Sequence, residues 1–150
     1  IRMMKNTLDE YDTVNIEVYP YGVWDREETL RFRQPDDELA MNSSFVDTGY
    51  TPENEVDFTS LKVTSLDLTL NIKENVSYIK MDIEGSELKA LEGAKHIIQR
   101  HRPRLAISAY HLKDDIYKIP LYLKSLNPDY KIYFRQHHYI STDLVCYAIP

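Results

Sequence analysis

Glycine is scarce in this chain: four residues in 150, at positions 22, 49, 85 and 93, with no two inside one short loop. A phosphate-cradling Gly-x-x-x-x-Gly-Lys-Ser/Thr loop is absent, as is the Gly-x-Ser-x-Gly elbow of serine hydrolases. Cysteine occurs once, which excludes an internal disulfide and fits a reducing compartment. Cys146 lies in the apolar run Leu144 to Ile149 and reads as a small buried hydrophobe. No apolar run approaches the roughly 20 residues of a membrane-spanning helix, and no signal-peptide pattern is visible. A cytoplasmic location without membrane association is expected. Positive charge is also short: the formal net charge of −6 argues against nucleic acid as a partner. The one basic cluster, Gln99 to Arg104, falls where a helix should end and complements its dipole. The chain opens on Ile1 rather than methionine, so sequence upstream is expected.

What is present centres on Ser77 to Glu87, Ser-Tyr-Ile-Lys-Met-Asp-Ile-Glu-Gly-Ser-Glu. Val76 to Ile83 is mostly apolar and suits one buried parallel strand. Two carboxylates, Asp82 and Glu84, close it, followed by Gly85. Leu88, Leu91, Ala94, Ile97 and Ile98 then recur at helical spacing, with Gly93 in the middle of the predicted helix. A strand ending in acids, turning on glycine and feeding a helix is half of a βαβ unit. Ligands of open α/β sheets bind outside the carboxyl ends of such strands.

Taken in order, residues 1–13 resemble the tail of a helix, and Val14 to Trp24 alternates as a strand limited by Pro20. Thr29 to Arg33 is a second short strand, and Gln34 to Ser44 a surface loop. Leu61 to Leu70 alternates again, with Ser65-Leu66-Asp67 able to open a helical turn. Pro103 stops the central helix, and Leu105 to Tyr110 is a second core strand ending at His111. Asp114 and Asp115 begin a helix that Pro120 should split in two. After the turn Asn127-Pro128-Asp129, Tyr130–Phe134 and Leu144–Ile149 are expected to form a hairpin across His137 to Asp143. The fold class is α/β with a mixed sheet, in a single domain spanning 1–150.

Parallel strands at Tyr78–Met81 and Leu105–Tyr110 would set Asp82, Glu84 and His111 along one edge, where carboxylates and an imidazole serve as bases, orienting groups or metal ligands. His137 and His138 join them if their strand is also parallel. The competing structural reading is that Asp82 merely caps the next helix and Glu87 complements its dipole.

The run Tyr78-Ile-Lys-Met-Asp-Ile-Glu-Gly-Ser-Glu-Leu-Lys-Ala-Leu-Glu-Gly-Ala resembles the hallmark of FkbM-type methyltransferases, which use S-adenosylmethionine. Tyr21-Gly-Val-Trp-Asp, Thr64-Ser-Leu-Asp-Leu, Tyr130-Lys-Ile-Tyr-Phe-Arg-Gln-His-His and Leu144-Val-Cys-Tyr-Ala fit the same family. The resemblance implies a partial Rossmann-like class I methyltransferase sheet, parallel strands with a C-terminal antiparallel hairpin. It lacks the family's Gly-rich donor turn and the acidic strand after it, so the chain looks like the C-terminal two-thirds of such a domain. Tyr21, Gly22, Val23 and Asp82 would border the donor. Asp82, Glu84 and His111 would act on the hydroxyl of a sugar or related metabolite. A gap beside the Tyr78 strand would expose backbone edges and invite association with another copy. Two rivals stand beside this reading: a catalytically silent α/β module that binds a sugar or a protein, and a metal-dependent hydrolase using Asp82, Glu84 and His111.

Overall fold

The computed structural model describes residues 16–33, 58–70, 75–139 and 143–150. The expected helix tail at 1–13 and the loop at 34–44 lie outside the described residues. Among the described residues, seven strands and four helices follow in the order β1 (Gly22–Val23), β2 (Glu28–Arg33), β3 (Phe58–Thr64), α1 (Leu66–Thr69), β4 (Tyr78–Met81), α2 (Glu87–Glu92), α3 (Lys95–His101), β5 (Arg104–Ser108), α4 (Asp115–Leu126), β6 (Lys131–Gln136) and β7 (Leu144–Ile149).

They form two sheets, β1-β3-β2 and β4-β5-β7-β6. In the second, β4 and β5 are parallel while β7 runs antiparallel to both β5 and β6. β6 therefore runs in the same direction as β4 and β5, and the β6–β7 hairpin is the one expected. All three longer helices cover one face. Ile79, Met81, Leu105, Ile107, Cys146 and Ala148 meet Ala90, Leu91, Ile97, Ile98, Ile119 and Leu123 in a single core. Tyr130 is wholly buried there, its hydroxyl donating to the Pro103 carbonyl at 2.8 Å. On the opposite face Ala106 and Ser108 of β5 are buried, but Tyr78 and Lys80 of β4 are exposed, so β4 alternates exposed and buried instead of being buried on both sides.

Three expectations need correction. The strand over Val14 to Trp24 shrinks, among the described residues, to Gly22–Val23. Ile16 is 55% exposed, so the alternation there has no core to face. Pro120 does not split α4, which runs unbroken through it. The carbonyl it leaves unbonded is that of Ile116, a half-exposed residue where water can take the proton donor's place. Finally, the central helix is two helices, α2 and α3, parted at Gly93–Ala94.

That break has a physical cause. A Cβ on Gly93 would lie 2.0 Å from the Trp24 carbonyl oxygen and 2.8 Å from Ser65 Cβ. The backbone at Gly93 thus touches the chain leaving β1 and the cap of α1. Ser65 Oγ caps α1 by accepting from Leu68 N, 3.2 Å. Asp67 then caps α3 across 30 residues of sequence: its carboxylate accepts from His96 N and Ile97 N, both at 2.9 Å. Asp67 N in turn donates to the Gly93 carbonyl at 2.9 Å. The Thr64-Ser-Leu-Asp-Leu segment is a joint between the two sheets.

Alanine in place of a helical glycine ordinarily gains about 1 kcal/mol. Here the clash reverses the sign: Gly93→Ala is expected to lower stability by about 1–3 kcal/mol, and Gly93→Leu by more, in urea unfolding. A neutral or stabilising Gly93→Ala would mean the Trp24 contact is loose. Asp67→Ala removes a helix cap and should cost about 1–2 kcal/mol in the same assay, against a Lys95→Ala control near zero.

Candidate active site

The site begins where β4 ends. Past Met81 the chain turns through Asp82, Ile83, Glu84 and Gly85 into α2, with Glu84 and Gly85 both left-handed (φ 55° and 91°). Glycine adopts that conformation freely, whereas a glutamate there is uncommon. The turn is held from below by Glu87, whose side chain is fully buried. Its Oε1 accepts from Ile83 N at 2.8 Å and its Oε2 from Gly85 N at 2.9 Å. These bonds answer two backbone donors that burial would otherwise leave costly.

β5 brings the imidazole. Beyond Ser108 the Ala109 amide bonds to the Leu144 carbonyl, 2.9 Å, and His111 follows with its side chain only 8% exposed. Its Nδ1 lies 2.9 Å from Glu87 Oε1, and its Nε2 lies 3.5 Å from Glu84 Oε2 and 3.6 Å from Asp82 Oδ1. The Nδ1 approach is close but out of line, so neither ring nitrogen has a directed hydrogen bond. Tyr110 tilts against the imidazole with ring centres 4.1 Å apart, and its hydroxyl donates to Asp82 Oδ1 at 3.3 Å. The turn after His111 is closed by buried Asp115, which accepts from Leu112 N at 2.8 Å.

Electrostatics follow from this crowding of acids. Burial works against a charged His111, but Glu87, Glu84 and Asp82 outweigh it and hold the imidazole above its ordinary range. Burial raises the Glu84 carboxyl, opposed by His111 and reinforced by Asp82. Tyr110 is pushed up to about 12, by burial first and then by the Asp82 charge. The resulting edge is rich in hydrogen-bond acceptors.

Asp82, Glu84 and His111, the expected catalytic set, thus stand together at the carboxyl edge. Because β6 is parallel to β5, His137 reaches that edge as well, its Nε2 2.8 Å from the Tyr147 hydroxyl. A cavity of about 260 Å³ on the sheet face away from the helices joins Asp82, Ser108, His137, Asp143 and Tyr147. His138 packs instead beside Tyr139, ring centres 4.3 Å apart. The residues expected around a donor are more dispersed. Gly22 pairs with Val63, and Tyr21 lines a separate cavity of about 650 Å³ beside Glu28 and Thr64. Val23 lines an apolar groove of about 310 Å³ that runs along β4 from Tyr78 to Ile83. A cavity of about 570 Å³ by Arg102 and Arg104 holds none of the residues expected at the site. Glu87 was the residue missed. Its place in the first helical turn suggests a dipole partner, and only its reach back to the Ile83 and Gly85 amides shows otherwise.

The family model of the methyltransferase FkbM domain matches residues 8–138. The chain belongs to the FkbM methyltransferase domain family. It is also similar to the crystal structure of methyltransferase FkbM from Methylobacillus flagellatus KT, with 31% identity and a TM-score of 0.72. That likeness covers 98% of this chain and 33% of the other, so the chain spans about a third of that protein's length. No curated protein matches the chain. In this FkbM domain, the hallmark segment Lys80-Met-Asp-Ile-Glu-Gly is the strand end and turn that carry Asp82 and Glu84.

The role of Glu87 can be tested by an isosteric change. Glu87→Gln would set an amide nitrogen against one of two N–H donors, and is expected to cost about 2–4 kcal/mol in chemical denaturation. Asp82→Asn, on the half-exposed rim, should change stability by under about 0.5 kcal/mol. Equal effects of the two would remove Glu87 as the support of the turn.

Proposed function

We propose that this domain takes part in methyl transfer from S-adenosylmethionine to a hydroxyl group of a sugar or related metabolite, within a partial class I Rossmann-like sheet. The observation that supports it is the approach of Asp82 and Glu84 to His111 Nε2, at 3.6 and 3.5 Å, at the carboxyl edge of parallel strands, in a chain of this family. When bound, the donor supplies an electrophilic methyl group on sulfur. The chain's own residues attend to the acceptor. Asp82 and His111 fix the hydroxyl, and Glu84, on the rim with its carboxyl raised by burial, takes the proton. Alignment of acceptor and methyl contributes roughly 7–11 kcal/mol, and the proton acceptor about 10²–10⁴-fold in rate.

The described residues do not complete a donor cradle. The groove beside Val23 offers an apolar wall, but its lining holds no carboxylate for a ribose. The four glycines supply no Gly-rich turn. A carbohydrate-like acceptor, a cytoplasmic location and association of copies through the open edge of β4 belong to the same reading.

Calorimetric titration with S-adenosylmethionine tests it. The 150-residue chain alone is expected to bind weakly and to transfer no methyl group. A polypeptide that carries this domain together with an upstream Gly-rich turn should bind at micromolar concentration and methylate a polyol. In that polypeptide Glu84→Gln should lower the transfer rate by about 10²–10⁴-fold while donor binding holds. Failure of the longer polypeptide to bind the donor would favour a catalytically silent sugar-binding module.

A further inference from the structure

Among the described residues, negative charge at this edge exceeds the positive charge ion-paired with it. Asp82, Glu84 and Glu87 all approach His111 within 3.6 Å, and the buried carboxyl of Asp115 feels both Glu87 and His111. Among the described residues, the one lysine or arginine ion-paired with any of these four acids is Lys80, 3.7 Å from Asp82 on the exposed side. Even a protonated His111 and Lys80 together match only half of four carboxylates. Buried charges are ordinarily paired or bound to a metal.

The imidazole points to which of these occurs. It is enclosed, at 8% exposure, yet neither ring nitrogen has a directed hydrogen bond although carboxylates stand on both sides. Ligand-capable atoms of Asp82, Glu87 and His111 all lie within 4.8 Å of one another. Ligands about 2.1 Å from one ion stand roughly 3–4.2 Å apart; the ion takes one imidazole nitrogen, so the carboxylate now at the other nitrogen turns toward it to close the set. Glu87 can join without releasing the turn: two backbone N–H bonds use two of about four lone-pair sites on a carboxylate.

We propose that Asp82, Glu87 and His111 bind a divalent cation, with Glu84 at the open side of the ion. One imidazole with two carboxylates suits Zn²⁺ or Mn²⁺ better than Ca²⁺. Positions left open would face Glu84, where an acceptor hydroxyl bound to the ion would have its pKa lowered and pass its proton to the Glu84 carboxylate. That use rests on the methyl-transfer reading, whereas the cation site does not.

The test is binding to the chelator-treated 150-residue chain, followed by calorimetry and thermal melting with ZnCl₂, MnCl₂ and CaCl₂. One Zn²⁺ or Mn²⁺ per chain is expected, with a higher melting temperature and weaker binding of Ca²⁺. Asp82→Asn and His111→Gln should each weaken binding at least tenfold, and Glu92→Gln, at the far end of α2, should leave it within twofold. Asp82 lies on the rim, so its variant keeps the test valid even if His111→Gln unfolds. Co²⁺ should give a visible absorption band that Asp82→Asn abolishes. No one-to-one binding up to millimolar ion, or binding unchanged in Asp82→Asn, would overturn the site. Neither donor nor acceptor enters this experiment, so its failure leaves methyl transfer standing, and failure of donor binding leaves the ion site standing.

Discussion

The candidate site depends on one carboxylate that water does not reach. Glu87 is fully buried, and a buried charge persists only where its surroundings answer it. Three groups do so: the amides of Ile83 and Gly85, and the imidazole of His111. The two amides belong to the turn that carries Asp82 and Glu84, and the imidazole arrives from a different strand. One side chain therefore sets the distance between the end of β4 and the end of β5. It also explains the left-handed Glu84: with Ile83 and Gly85 both bonded to the same carboxylate, the residue between them has little conformational choice.

A second constraint, the contact at Gly93, links the two sheets. The Trp24 carbonyl can approach the helix backbone there only because no Cβ stands between them. The helix cannot continue unchanged through that contact, and the fresh N-terminus of α3 takes its cap from Asp67. The same joint brings Val23 beside Leu66, Leu70 and Ile79, which forms the apolar groove along β4. Packing at one glycine thus positions the apolar wall beside β4, while Glu87 positions Asp82, Glu84 and His111.

How much of this the sequence discloses varies with the range of the interaction. Strands β4, β5, β6 and β7 are readable because alternation and the bounding residues are local, and the parallel pairing of β4 with β5 follows from the single crossover. The meeting of Asp82 and His111 follows from that pairing. The bare face of β4 was not legible, since whether Tyr78 and Lys80 are covered depends on what packs across the sheet. A glycine in the middle of a helix permits a close backbone contact, but nothing local in the sequence shows that the contact at Gly93 divides the helix. Pro120 signalled a break that did not occur, because the lost bond falls on an exposed turn while Ile119 and Leu123 remain anchored in the core. Glu87 shows the largest gap. A glutamate in a first helical turn has a sufficient local explanation, and its true partners lie on a turn before it and a strand 24 residues after it.

The charge at the edge also limits the kind of molecule that can approach. Bringing a phosphate or carboxylate against Asp82, Glu84 and Glu87 would place like charges a few ångströms apart in a partly desolvated site, a penalty of several kcal/mol at the low local dielectric. A neutral hydroxyl has no such cost, because the carboxylates accept its hydrogen bond. A positively charged guest gains from the same arrangement, and this holds for the sulfonium of a methyl donor as for a metal ion. If an ion occupies the Asp82–Glu87–His111 cluster, it removes part of the charge that would otherwise draw the sulfonium inward. Occupancy by the ion should then weaken attraction for the donor while strengthening the hold on the acceptor oxygen, so the two cations divide between them the work of one acidic edge.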